Sequence, residues 1–114
     1  MLQGKVWGQT ELLFNKNNVE IHRIEGRLGG FCSKHTHDNK WNMFFVEAGQ
    51  LRIKTWMEYG LVDETVLNAG QMCSVPPKHP HMFVVEQPDT VAYEVYWVEL
   101  RGDDIVRQGV GGVQ

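Results

Sequence analysis

Three histidines and one asparagine carry the chemical possibilities of this chain. His35 and His37 stand one residue apart. Strand side chains alternate with a period of two, so on extended backbone both rings point the same way. A third imidazole, His81, follows the rigid run Pro76-Pro77-Lys78-His79-Pro80 far along the chain. Three neutral imidazoles can hold one divalent transition ion and leave positions open for water or substrate. Such a donor set suits zinc, nickel, iron, manganese or copper. Asn42 shares a face with Phe44 and Val46, and if that face is the inside it sits beside the two histidines. Its amide oxygen is then a weak neutral ligand or orients bound water. His79 has two readings, a fourth nitrogen donor or a simple loop residue between Lys78 and Pro80. A His-x-His pair by itself also has a plain alternative, a half-exposed strand whose rings are satisfied by water or backbone groups.

The spacing around these residues resembles the cupin superfamily. Its first motif runs from a glycine through five residues to His-x-His, then to a glutamate, and seven residues later to another glycine. Gly29, His35, His37 and Gly49 fall in place, with Asn42 at the glutamate position. Gly70, Pro76 and His81 match the second motif, while Lys78 and Val85 depart from its usual glycine and asparagine. The resemblance spans residues 29 to 85. It implies an all-β double-stranded β-helix (jelly-roll) cupin barrel, with the metal inside one end, held by His35, His37 and His81 with Asn42 beside them. It also implies a homodimer, since small cupins commonly pair their sheets.

Length and composition bound the rest. A chain of 114 residues supports a single domain, here 1–114, with a modest hydrophobic core. A formal charge of −3 and a pI near 5.9 leave no electrostatic footprint for nucleic acid. No basic leader precedes an apolar run, and no stretch has the length to span a bilayer. A cytoplasmic protein with a small-molecule ligand or substrate is expected. Two cysteines, Cys32 and Cys73, read as free thiols.

The elements that must position the histidines read as strands and turns. Lys5 to Phe14 and Val19 to Glu25, separated by Asn15-Lys16-Asn17-Asn18, form an opening hairpin, with His22 as a surface or rim histidine. From Gly29 a strand is expected in which Phe31, Ser33, His35 and His37 face inward while Cys32, Lys34 and Thr36 face out. Asn42 to Glu47 returns antiparallel, with Glu47 pointing away from the site. Leu51 to Met57 alternates clearly and pairs with Leu61 to Leu67. Met72 to Val75 is apolar enough to be buried, His81 to Val85 resumes an extended pattern, and Val91 to Glu99 makes the last strand. A loop and frayed tail are expected from Arg101.

Three function classes follow. One is a metal-dependent enzyme on a small organic substrate, of the dioxygenase or isomerase type implied by the resemblance. A related reading, from Lys5-Val6-Trp7-Gly8, Arg23-Ile24 and Gly29-Gly30, is the cupin part of sugar-phosphate isomerases. Phosphate needs a convergent basic cluster, which the sequence supplies only if Arg27, Lys40 and Lys78 meet at the mouth. The second is a non-catalytic metal- or ligand-binding module, favoured by the missing glutamate and by the lack of an evident general base. The third is an oligomerisation unit with Trp56, Met43, Phe45 and Tyr96 on an outer apolar surface. An apolar lining of Phe31, Phe44, Val46, Phe83 and Ile53 suits a mostly hydrophobic ligand, or else simply fills the core.

Overall fold

The computed structural model describes residues 2–98, 106 and 108–114. Within them the chain forms β1 (Leu2–Lys5), β2 (Gly8–Lys16), β3 (Val19–Gly26), β4 (Trp41–Ala48), β5 (Gln50–Trp56), β6 (Val62–Asn68), β7 (Met72–Val75), β8 (His81–Val85) and β9 (Thr90–Trp97). A single 3-10 turn, Glu58–Gly60, joins β5 to β6. The strands make two antiparallel sheets, one ordered β1-β2-β3-β9-β4-β7 and the other β6-β5-β8. Their inner faces pack together as a jelly roll, which is the expected all-β double-stranded β-helix.

Alternation decides which residues fill it. In β4, Asn42, Phe44 and Val46 are buried between half-exposed neighbours, and β5, β8 and β9 repeat the pattern. Register then lines up rows across the large sheet. Leu12, His22, Glu94 and Phe44 form one row, while Glu20, Tyr96, Asn42 and Val75 form the next toward the histidine end. Gln3, Thr10, Ile24, Ala92 and Val46 form the row on the other side. Ile24, Phe44, Leu51 and Phe83 are at most 1% exposed. Burying each such side chain contributes roughly 1.5–3 kcal/mol.

Turn chemistry fixes that register. Asn17 and Asn18 both take positive φ, as a tight hairpin turn between β2 and β3 requires. Gly49 turns β4 into β5 at φ +83°, where an added Cβ would lie 2.2 Å from Thr90 Oγ1. No other residue fits there.

Several expectations change. The segment from Gly29 to His37 is not a continuous strand, and only Phe31 and His35 form isolated bridges, to Val84 and His81. Strict alternation therefore fails between them. Phe31 is 62% exposed, whereas Cys32 turns inward, packs against the core and accepts a hydrogen bond from the Phe83 amide. Phe44, Val46 and Ile53 fill the core and line no ligand cavity among the described residues, whereas Phe83 is buried and also lines a cavity beside Trp7 and Cys32. β7 is an edge strand with an exposed Met72. Tyr96 faces in, on the Asn42 row, so it cannot join the outer apolar surface. Residues 106 and 108–114 are exposed and lie outside the strands; Glu99 and most of the expected loop from Arg101 lie outside the described residues. No helix among the described residues is long and apolar enough to cross a membrane.

Candidate metal centre

The loop between β3 and β4 delivers His35 and His37, and the first residue of β8 delivers His81. The His35 and His81 backbones bond to each other, with N···O distances of 3.1 and 2.9 Å. That bridge sets their ring centroids 4.5 Å apart, with His37 5.0 Å from His35 and 5.4 Å from His81. One ring nitrogen from each of the three lies within 4.8 Å of the others. The two His-x-His residues and the distant His81 are thus brought together.

Hydrogen bonding selects which nitrogens can act. His35 Nδ1 lies 2.7 Å from the Ser33 carbonyl, and His81 Nδ1 lies 3.0 Å from the His79 carbonyl. A carbonyl oxygen only accepts, so in both rings Nδ1 carries the proton and Nε2 keeps the lone pair, which on His81 accepts from the Asn42 amide and would be given up to a bound ion. His37 Nε2 is buried without a hydrogen-bond partner. Such an atom costs free energy unless something binds it. Burial also pushes the His37 and His81 imidazoles below their ordinary pKa, favouring the neutral form that a metal requires. An unpartnered buried nitrogen, two fixed tautomers and depressed basicity all fit a divalent transition ion.

Asn42 sits against this cluster and is fully buried. Its amide nitrogen lies 3.2 Å from His81 Nε2 and 3.3 Å from Glu94 Oε2, while its oxygen has no partner. Half a turn of the amide exchanges the two ends. His79 lies outside the histidine cluster: its carbonyl serves His81, and its ring nitrogen lies 3.4 Å from the Trp56 carbonyl. Lys34 points outward as expected, its ammonium 4.0 Å from the centre of the Trp56 ring. Glu47 is likewise outside, accepting from the Tyr93 hydroxyl.

Glu94 is the residue that sequence reading missed. It comes from the middle of β9, opposite Phe44, and is 9% exposed. The Tyr96 hydroxyl and the Asn42 amide both donate to its Oε2. Burial pushes its carboxyl pKa up, against the downward pull of those two donors. The Tyr96 hydroxyl is pushed up as well, first by burial and then by the Glu94 charge. The available signal was the alternation of β9, which puts Ala92, Glu94 and Tyr96 on one face, so that an acid falls among inward-facing residues.

Glu94 and Tyr96 form part of the wall of a cavity of about 430 Å³, together with Trp7, Thr10 and Leu12. His22 lines it too, edge-on to Tyr96, 3.3 Å from Glu20 and 24% exposed, in keeping with the expected rim position. Tyr96 in turn contacts His37, with centroids 5.1 Å apart. The cavity and the histidine cluster therefore share the Glu94–Tyr96 pair as a common wall.

Comparison with known proteins places this arrangement. KdgF from Halomonas sp. superposes with a TM-score of 0.70 at 16% identity, over 85% of this chain and 83% of its own. Oxalate decarboxylase of Bacillus subtilis, described with Mn(II) centres, gives 0.77 at 14% identity over 86% of this chain. The formate complex of the Lactobacillus farciminis enzyme gives 0.76 at 16% identity. The chain spans only 27% and 30% of those two decarboxylase chains. At these identities the likeness is one of fold. No curated protein sequence matches significantly. The sequence profile of the cupins, however, matches residues 5–113. With that match across nearly its whole length, and with both histidine motifs meeting inside a jelly roll, the chain belongs to the cupin family.

Proposed function

We propose that this cupin is a metal-dependent enzyme acting on a small organic substrate, with His35, His37 and His81 holding one divalent transition ion and Asn42 beside it. The observation that carries the reading is the shared wall: a buried carboxyl stands between three convergent imidazoles and a cavity. A bound ion supplies Lewis acidity toward a substrate oxygen. Zinc, nickel, iron, manganese and copper all suit the donor set, and the Mn(II) centres named for the bacillary decarboxylase support manganese among them.

The chain's own residues do the remainder. His35 and His81 keep their Nε2 atoms aimed at the centre through their Nδ1 bonds. Glu94 opens on the cavity and can take a proton from a substrate carbon and return it to a neighbouring one, with the Tyr96 hydroxyl steadying the carboxylate. That arrangement favours the isomerase type over the dioxygenase type. A sugar-phosphate substrate is less well supported, because Lys5 is the only basic residue besides His22 on the described lining. The same fold as a non-catalytic binding module is the rival reading, favoured by the neutral Asn42 at the usual carboxylate position. The resemblance also supports a single-domain homodimer, with Met43, Phe45, Val95 and the stacked Trp41 and Trp97 as the face between copies.

The test is elemental analysis of untagged protein alongside His35→Ala and Glu94→Gln. About one ion per chain is expected in the parent and in Glu94→Gln, whereas His35→Ala should lose affinity by more than about 100-fold, beyond the ~10–100-fold typical of outer-sphere partners. A parent that stays empty after reconstitution ends the metalloenzyme reading. Once a substrate is identified, Glu94→Gln should bind it without turnover; undiminished turnover would leave only the metal half of the proposal.

A further inference from the structure

The cavity behind Glu94 has a composition that selects its occupant. Its outer wall comes from β1, where Gln3 and Lys5 share a face, and β1–β2 register places Gln3 beside Thr10. His22 continues the polar lining toward Glu94 and Tyr96. Lys5 forms no ion pair among the described residues, unlike Lys40, Lys54, Arg23 and Arg52. One end of the chamber thus presents an uncompensated ammonium. Among the other lining residues, Leu12, Cys32 and Phe83 make an apolar wall, while three groups both donate and accept: the Gln3 amide, the Thr10 hydroxyl and the His22 imidazole. Trp7, packed edge-on against Phe83 with centroids 4.9 Å apart, adds an apolar flank.

From this lining we infer that the substrate is a polyhydroxylated carboxylate, its carboxylate held by Lys5 and its hydroxyl-bearing carbons running toward Glu94 and Tyr96. The inference rests on the reading of this chamber as the place of a small organic substrate, and names its class. Size argues against a two-carbon acid. At about 430 Å³ the pocket falls within the roughly 300–1,000 Å³ range of small-molecule sites. Charge argues for carboxylate over phosphate. A single flexible ammonium is a point charge suited to a monoanion, whereas a phosphate dianion calls for several convergent donors such as an arginine fork. The hydroxyls follow from the lining, since each hydroxyl can both give and take a hydrogen bond there. An apolar chain would displace water from Gln3 and Thr10 without replacing its hydrogen bonds, at a cost in affinity.

Calorimetric titration of the full chain with gluconate tests this, using glucitol as its uncharged counterpart, oxalate as a small dianion and glucose 6-phosphate as the phosphate counterpart. Lys5 is exposed on an edge strand, so Lys5→Met keeps the aliphatic stem and should leave the melting temperature and metal content unchanged. Gluconate should bind the parent at least about tenfold more tightly than the other three, and Lys5→Met should bring it down to the level of glucitol. Equal binding by parent and Lys5→Met, or tighter binding of oxalate, glucitol or the phosphate, overturns the inference. So does a metal-loaded parent that ignores gluconate, while leaving the metal reading intact. Conversely, a parent that binds gluconate in this pattern but takes up no metal upholds the substrate class and sinks the metalloenzyme reading.

Discussion

At the Thr90 end of the barrel Leu51, Thr90 and Ala92 are completely buried, and the one polar group among them is fully used: Thr90 Oγ1 donates to the Gln87 carbonyl and accepts from the Gln50 amide. At the histidine end Asn42 is equally buried, but its oxygen and His37 Nε2 have no partner. These two are the partnerless buried side-chain atoms among the described residues. The same strands, β4 and β9, run through both ends, so the difference lies in side chains and not in backbone. One end spends its buried polar groups on holding the turns together. The other keeps them in reserve for something that arrives after folding.

The contrast can be broken most forcefully from the Thr90 end. Leu51→Ala should cost about 2–5 kcal/mol of stability, because its side chain is completely buried and truncation leaves a cavity in the core. Urea unfolding would measure it, and metal stoichiometry of the protein that remains folded should not change. A large loss of metal with little loss of stability would mean the two ends are not separable. At the histidine end Asn42→Asp sharpens the contrast instead. Without metal it sets a second carboxylate about 3.3 Å from Glu94 Oε2, at a cost of about 1–2 kcal/mol. Added metal should recover that loss and more, since binding the folded state alone stabilises it. Melting curves with and without Mn(II) or Zn(II) compare the two, and a metal-induced shift no larger than the parent's would count against a metal beside Asn42.

The smallest effect concerns the thiols. Burial pushes Cys32 up to about 12 and Cys73 to about 11, so the reactive thiolate is scarce in the folded state at pH 8. A thiol reagent should modify both slowly at that pH and rapidly in denaturant. Because the folded pKa values are raised, the native-state rate should climb as pH approaches them from below. Fast labelling of Cys32 at pH 8 would show that the wall beside Phe83 opens readily.

What could be read from the sequence was whatever depended on regular alternation. β4, β5 and β8 keep a strict period of two, so Asn42, Phe44, Leu51, Ile53, His81 and Phe83 were placed on the inside correctly. The loop carrying His35 and His37 breaks the period: two bridges four residues apart leave Phe31 outside and His35 inside. There alternation puts Phe31, His35 and His37 on one inner face, which holds for the two histidines and fails for Phe31 and Cys32. Glu94 and Tyr96 escaped for a different reason. Their significance comes from register across three strands, β3, β9 and β4, which no single stretch of sequence displays.

Both imidazoles with assigned protons take their partner from a carbonyl two residues upstream, Ser33 for His35 and His79 for His81. The support that orients them is therefore written in main-chain geometry and is indifferent to the side chains that happen to stand there. Exchanging the side chain at Ser33 or His79 leaves the carbonyl, and the tautomer it imposes, in place. Chains of very different lettering can thus inherit the same pair of aimed lone pairs, with nothing at those two positions to betray it in an alignment.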